Sequence, residues 1–460
     1  MTTFNRLPEK PNAPPPLHKL SNELARIGVI YKSPDQLTLP AKSLRVHSPS
    51  QIKKISRSLS VFGFLIPIVV DEADCVLVGV GRISAARDLG FTEVPTIQVT
   101  HLNEAQKKAF AIAESRLAEI SKWDDKVLAE QLSELSLINL DFDIDVTGFE
   151  VAEIDLRIES LNLDLDGPPD VVPELAAGRP VSQIGDLWVL GRHRVVCGSA
   201  LDPAAYAALM DRNKANIVFA DPPWNVKIDG HATGLGAHRH REFAMAAGEM
   251  TSSQFQTFLL TAFTLLANHS IDGSIHFICM DWRHSAELLA AGNSVYAEHK
   301  NTCVWVKHNG GMGSLYRSQH EFVHVFKNGT ASHRNNIQLG CFGRQRSNVW
   351  RYQGANSLGR GTEEGNLLAL HPTVKPVALV ADAILDCSAR GDVVLDPFLG
   401  SGSTLMAAER VGRSFCGLEI DPLYVDTAIR RWQAQTGDDA VHAASGRHFN
   451  HIAMETNHND

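Results

Sequence analysis

One stretch near the C-terminal end constrains the fold more than any other. Val393–Leu395 reads as a buried strand, Asp396-Pro397-Phe398-Leu399-Gly400-Ser401-Gly402-Ser403-Thr404 as a glycine-rich turn, Leu405–Val411 as a helix and Ser414–Ile420 as a second strand. That succession is the unit from which a doubly wound α/β domain is built. Glycine lets the backbone turn tightly and lets a ligand reach the helix N-terminus without meeting a Cβ. The second strand ends in Glu419, seventeen positions after Gly402, where such folds carry the carboxylate that accepts hydrogen bonds from ribose hydroxyls. The third glycine of a dinucleotide fingerprint is missing and no G-x-x-x-x-G-K-[ST] occurs, which counts against NAD and ATP. The glycines alone fit a structural turn as well as a binding loop. With Glu419 they favour an adenosine-type ligand without a pyrophosphate, and S-adenosylmethionine is the leading candidate.

At 460 residues the chain exceeds one ordinary core. An N-terminal extension (1–36) starts polar and proline-rich, without the apolar core of a signal peptide. Residues 37–100 alternate short strands with two helices, Ser50–Phe62 ended by Gly63 and Arg82–Leu89 ended by Gly90, as a small α/β module. Residues 101–163 form an acidic helical connector with helices at Glu104–Glu119 and Asp125–Leu137, and 164–184 is a linker rich in Asp, Gly and Pro. A second α/β domain spans 185–437, with strands at Ile217–Ala220, Ser274–Cys279, Thr302–Val306 and Phe322–Phe326, and 438–460 reads as a frayed tail. No run of eighteen apolar residues occurs and the seven cysteines form no C-x-x-C pair, so the expectation is a reduced, cytoplasmic protein without a membrane span.

The net charge of −9 hides an asymmetry. His101–Leu165 holds fifteen acids against six bases, whereas Lys300–Arg360 holds nine bases against a single acid, Glu321. A polyanion feels local charge within a Debye length, not the total.

Asn216–Ala220 runs straight into Asp221-Pro222-Pro223-Trp224. Two prolines fix φ and remove two backbone donors, so the loop offers rigid carbonyls with little competing N–H. Such a loop suits methylation of an exocyclic base amine, whose lone pair is delocalised into the ring. Acceptors on its N–H bonds favour a more tetrahedral nitrogen with its lone pair aimed at the methyl donor. Asp221 and the Pro222 carbonyl would be those acceptors, and Trp224 would stack on a base flipped from its helix.

Together with His371-Pro372-Thr373-Val374-Lys375-Pro376 and Gly417-Leu418-Glu419-Ile420-Asp421, these motifs make the chain from Gly185 to about Gln435 resemble the amino-methylating DNA methyltransferases, which modify adenine N6 or cytosine N4. Their order, catalytic loop first and cofactor loop last, is that of the β group. The resemblance implies a Rossmann-like S-adenosylmethionine-dependent methyltransferase domain. It places Thr373, Lys375 and Pro376 at the methionine end of the cofactor, and Asp396, Pro397, Phe398, Gly400, Ser401, Gly402 and Thr404 around its sulfonium and sugar, with Glu419 and Asp421 beyond. Asp at 221 leans toward adenine N6 over cytosine N4. An RNA methyltransferase shares the chemistry and stays open on the loop alone.

Gly63-Phe64-Leu65-Ile66-Pro67-Ile68-Val69-Val70 and Gly79-Val80-Gly81-Arg82-Ile83-Ser84-Ala85-Ala86 resemble the two boxes of the ParB/sulfiredoxin-like domain. Val80 stands where sulfiredoxins need a cysteine, and the second box keeps one arginine where ParB proteins usually have two. A DNA-associated docking module is the reading, with a nucleotide-gated DNA-binding protein bearing a vestigial methylase half as the rival. Double-stranded DNA is the expected partner, and a homodimer and a restriction-modification role are compatible with the chain. Arg334, Arg344, Arg346 and Arg351, with Trp350 and Tyr352 among them, are the expected DNA-binding stretch. His238/His240 and His448/His451 lack ligand spacing with a carboxylate or thiolate, and no metal is expected. Since all four methylase motifs follow Pro180, a chain starting there is expected to keep methylating.

Overall fold

The computed structural model describes residues 28–138, 142–162, 179–225, 248–307, 315–341, 344–352 and 374–458. The chain divides into two units, residues 1–123 with 140–149, and residues 124–139 with 150–460.

In the smaller unit, strands β1 (Val29–Lys32), β2 (Ile68–Val70), β3 (Val76–Val78) and β4 (Val94–Gln98) form one sheet in the order β1-β4-β2-β3. Helix α1 (Pro49–Phe62) starts where the Ser48 side chain accepts the Gln51 N–H, and it ends at Gly63. Helix α2 (Val80–Asp88) follows Gly79, whose φ of +108° and 2.6 Å approach of a would-be Cβ to Ile68 Cδ1 leave no room for a side chain. Helix α3 (Glu104–Ile120) opens on a reciprocal Asn103/Gln106 cap. Leu37, Ile68, Val70, Val76, Ile83, Ala86 and Val94 make the core. The extension expected to end at residue 36 supplies β1, which pairs antiparallel with β4. Val29, Ile30 and Tyr31 alternate too weakly to announce a strand, and their edge position explains why: β1 pairs on one side only.

The larger unit carries helices α4 (Asp125–Leu137) and α5 (Val151–Asn162), then strands β5 (Leu187–Leu190) and β6 (His193–Cys197), helix α6 (Pro203–Met210) and strand β7 (Ala215–Ala220). Helix α7 (Ser252–Asn268), strand β8 (Ser270–Met280), helix α8 (Ser285–Val295) and strands β9 (Glu298–Val306), β10 (His320–Lys327) and β11 (Val349–Arg351) follow. The chain closes with α9 (Val377–Cys387), β12 (Val393–Asp396), α10 (Ser403–Arg410), β13 (Ser414–Glu419), α11 (Pro422–Thr436), β14 (Val441–His442) and α12 (Phe449–His458). One ten-stranded sheet runs β11-β9-β10-β8-β7-β12-β13-β6-β5-β14, and its centre, β8-β7-β12-β13-β6, is parallel.

Side chains alternate across this sheet and so build a core on each face. Ile217 and Phe219 join Leu379, Ile384, Leu405, Val425 and Trp432 of α9, α10 and α11. Val218 and Ala220 join Tyr206, Leu209, Phe255, Phe263 and Leu288 of α6, α7 and α8. The expected α/β architecture is the one observed.

Two further boundaries differ from expectation. The C-terminal stretch is packed, not frayed: β14 pairs with β5, and fully buried Phe449 meets Trp188 with ring centroids 5.2 Å apart. Helices α4 and α5, expected within a connector, group with the larger unit. There Asp155 of α5 takes both ends of the Arg413 guanidinium at 2.9 and 2.8 Å, and both residues are almost wholly buried.

Candidate functional site

Strand β7 lies beside β12, but from β7 the chain goes on to β8 on one side and from β12 to β13 on the other. Such a reversal opens a crevice beyond the carboxyl ends of the two strands, the usual ligand position in open α/β sheets. Asp221-Pro222-Pro223-Trp224 leaves β7 into it, and Asp396 at the end of β12 opens the glycine-rich turn beside it. Because β10 runs antiparallel to β8 and to β9, Lys307 after β9 and Glu321 near the start of β10 lie at the same edge.

Four charges meet there in alternating sign. The Lys375 ammonium, just before α9, donates to Asp221 Oδ2 at 2.5 Å and ion-pairs with Glu321 Oε2 at 3.2 Å. Lys307 donates to Glu321 Oε1. Lys375 and Glu321 are only 5% and 4% exposed, so each charge depends on its neighbours for the solvation it has lost. Burial pushes the Asp221 carboxyl above the usual carboxylate range, against the opposing pull of Lys375. Glu321 is also buried, yet Lys375 and Lys307 together hold it below its ordinary value. The Lys375 ammonium stays protonated, because its two carboxylates outweigh the cost of burial.

Among the described residues, neither Asp221 Oδ1 nor Trp224 Nε1 has a hydrogen-bond partner, and both atoms are buried. An orphaned buried acceptor costs about 1–3 kcal/mol, and such groups gather where a ligand supplies the missing partner. The Trp224 ring packs against the α7-side core, with the Lys375 ammonium 5.0 Å from its centroid.

The second half of the site is the turn after β12. Gly400 (φ +53°) and Gly402 (φ +89°) take left-handed conformations, and a Cβ on Gly402 would press to 3.0 Å on that of Ala428. Asp396 is buried, accepts the Phe398 N–H at 2.9 Å and the Thr404 hydroxyl at 2.6 Å, and is still pushed up to about 7 by burial. Glu419, half-buried, accepts the Gly400 N–H at 2.8 Å and the Asp421 N–H at 2.9 Å, one on each oxygen, and burial pushes it up to about 7. The Ile420 N–H also faces the carboxylate. Pro397 and Ser401 are buried, while Phe398 is half-buried with its ring beside Phe258.

The structure thus gathers Asp221, Pro222, Pro223, Trp224, Lys375, Pro376, Asp396, Pro397, Phe398, Gly400, Ser401, Gly402, Thr404, Glu419 and Asp421 around one crevice. Some roles shift. The Lys375 charge is shared between two carboxylates, the Thr404 hydroxyl holds Asp396, and Asp421 caps α11 by accepting the Leu423 N–H at 3.0 Å. Thr373, His371 and Pro372 lie outside the described residues, as do His238 and His240. Among the described residues no cluster of His, Cys, Asp or Glu could hold a metal ion, and no helix is long and apolar enough to cross a membrane.

The expected DNA-binding arginines separate into two kinds. Arg334 and Arg351 are exposed. Arg344 and Arg346 are not, which corrects the expectation for them: Arg344 meets Asp386 at 2.9 Å and Asp382 at 3.2 Å, and Arg346 meets both carboxylates at 3.1 Å. Asp382 and Asp386 stand one turn apart on α9 and present a paired negative face, so these two arginines clamp the β11 segment to α9. Trp350 is buried and Tyr352 donates to Asp382, so neither ring is offered to a base.

Two residues of the site went unread in the sequence. Glu321 carries a signal, being the lone acid of a basic stretch inside an apolar strand. Asn225 carries a weaker one. It sits at φ +52°, a conformation Asn tolerates, and its side chain binds the N–H of Gly248 and both backbone groups of Met250.

Residues 215–430 match the family model described as DNA methylase, and residues 126–184 match the ParB-methyltransferase HTH domain. The chain is 23% identical over 265 residues to the type II methyltransferase M.HpaI of Haemophilus parainfluenzae, a span covering 54% of this chain and 77% of that protein. It is 38% identical over 93 residues to the type II methyltransferase M2.DpnII of Streptococcus pneumoniae, covering 20% of this chain and 32% of that one. Among solved structures, the cytosine-N4-specific PvuII DNA methyltransferase aligns at a TM-score of 0.40 and 15% identity, over 61% of this chain and 95% of that one.

Proposed function

We propose that this chain, in which residues 215–430 match the DNA methylase model and residues 126–184 the ParB-methyltransferase HTH domain, methylates adenine N6 of a flipped base in double-stranded DNA, with S-adenosylmethionine as donor. The observation that carries the reading is the buried, unpartnered Asp221 Oδ1 beside a rigid proline loop at the switch point of the sheet.

S-adenosylmethionine supplies an activated methyl group on a sulfonium. The residues present fit it. The Glu419 carboxylate is the acceptor proposed for the ribose diol, and Asp396 and Asp221 make the crevice favourable to a cation. Gly400, Ser401 and Gly402 leave the approach to α10 clear, Pro397 and Phe398 wall the sugar side, and Lys375 and Pro376 form the methionine end. Asp221 Oδ1 and the Pro222 carbonyl accept the two N–H bonds of the target amine, which turns its lone pair toward the methyl group. Pro223 stiffens the loop, and the half-buried Trp224 ring stacks on the flipped base. Asp at 221 favours adenine N6, with cytosine N4 as the alternative. Expression in a methylation-free bacterium, followed by sequencing that reports modified bases, tests all of this. N6-methyladenine at a fixed context supports it, N4-methylcytosine moves the target, and unmodified DNA overturns it.

Two predictions follow from the binding half. Glu419→Ala weakens S-adenosylmethionine binding by about 1.5–3 kcal/mol, the scale of charge-assisted hydrogen bonds; an unchanged Kd by calorimetry would move the ribose acid elsewhere. Asp396 and Glu419 both titrate near 7. A cationic ligand with donating hydroxyls selects their ionised forms, so affinity rises from pH 6 to pH 8 and binding releases protons. A Kd that is flat across that window would remove both carboxylates from the ligand.

For DNA, the exposed Arg334 and Arg351 are the contacts proposed in the basic stretch. If each touches one phosphate, neutralising both flattens the log K against log[salt] slope by about 1.8. A slope equal to wild type would relocate the surface.

A further inference from the structure

Glu321 is a single carboxylate among nine cations between Lys300 and Arg360, and it is buried, with Lys307 donating to Oε1 and the Lys375 ammonium ion-paired 3.2 Å from Oε2 without a hydrogen bond to it. A buried carboxylate placed to pair with a catalytic-site lysine does more than balance charge. Lys375 could satisfy both oxygens of Asp221 at once. Its second carboxylate draws the ammonium aside, so only Oδ2 is engaged and Oδ1 is left over. Lys307 holds Glu321 in turn, with its ammonium 4.8 Å from the centroid of the Trp305 ring and its backbone N–H on Gln319. The register of β9 and β10 sets Trp305 opposite Glu321, which fixes both members of this pair on the sheet.

We propose that the Lys307–Glu321 pair is a positioning device for methyl transfer, holding Lys375 off one oxygen of Asp221 so that this oxygen receives the target amine. The proposal rests on the amine-methylating reading above. The groups facing Asp221 are Lys375, Glu321 and Lys307, with Asp396 and Cys279 from the adjoining strands. Along the row the charges alternate, so removing either member changes Asp221 in a definite direction. Loss of the Glu321 charge makes Asp221 more acidic; loss of the Lys307 charge makes it less acidic.

The test is the pH profile of kcat at saturating DNA and S-adenosylmethionine for wild type, E321Q and K307M, with cofactor affinity measured by calorimetry. Both variants should lose turnover, by about 100-fold for E321Q, with cofactor Kd within a few-fold of wild type. The acid limb should move to lower pH in E321Q and to higher pH in K307M. A merely structural role cannot give opposite displacements. Limbs that move together, or a profile unchanged in either variant, overturn the proposal. Should E321Q not fold, E321D and K307M decide: E321D must keep the wild-type limb and recover turnover relative to K307M, and failure of either overturns it. A wild-type enzyme without methyl transfer sinks the functional reading itself, which separates the two failures.

Discussion

Asp221→Ala cuts methyl transfer by about 1,000-fold, the upper range for removing one preorganised group that acts on the reacting centre, while S-adenosylmethionine binds within a few-fold of wild type. The division follows from the geometry. Asp221 keeps one buried oxygen without a hydrogen-bond partner among the described residues, and on the proposed reading the target amine is that partner, so its loss belongs to kcat. The fold tolerates the change because Lys375 keeps Glu321 at 3.2 Å and the Trp224 face. Asp221→Asn is the informative companion. Its amide retains one carbonyl acceptor but loses the charge, so its turnover falls between wild type and alanine. Single-turnover methylation of a target duplex, with cofactor binding followed separately, measures both. Turnover in Asp221→Ala within tenfold of wild type would strip Asp221 of its role.

What could be read from the sequence was what is local in it. The turn Asp396–Thr404 and the loop Asp221–Trp224 each state their geometry within a few residues, through glycine and proline, and the strands before them alternate for one face or the other. That was enough to foresee two loops at the carboxyl ends of parallel strands. Pairings between distant residues were not legible. Arg344 and Arg346 look like a nucleic-acid patch until α9 brings Asp382 and Asp386 against them. Glu321 looks incidental until β10 sets it beside Lys375. Short edge strands such as β1 and β14 carry too few residues for a period to show, and the burial of Phe449 depends on Trp188, far away in the chain. The acidity of residues 101–163 suggested a solvated surface and concealed Asp155, which is buried.

That carboxylate sets the second large effect. A chain beginning near Pro180 keeps every methylase motif, yet it loses α5 and leaves Arg413 without Asp155. Arg413 is fully buried, and its five N–H groups go to both Asp155 oxygens, the Val411 and Ser388 carbonyls and the Ser388 hydroxyl. Arg390 adds a second guanidinium at 3.2 Å from the same carboxylate. Taking away one partner of a buried, hydrogen-bonded pair leaves an uncompensated charge in a low-dielectric site and costs about 3–5 kcal/mol, a large share of a typical 5–15 kcal/mol stability. Asp155→Ala in the full chain should therefore lower the unfolding free energy by that amount, read as a lower denaturant midpoint, and the shortened chain should be insoluble or markedly less stable. Asp155→Asn keeps one carbonyl acceptor, turns an NH2 donor toward the guanidinium and carries no charge, and should fall no lower than Asp155→Ala. Pairing Asp155→Leu with Arg413→Met should restore much of the loss, because it removes the stranded charge and fills the volume with apolar side chains. If Asp155→Ala unfolds within about 1 kcal/mol of wild type, the range of an exposed ion pair, then α5 is not held by this contact. In that case the methylase half would stand without it, as its motifs alone suggest. If the loss is as large as the burial implies, residues before Pro180 belong to the folded body of the methylase.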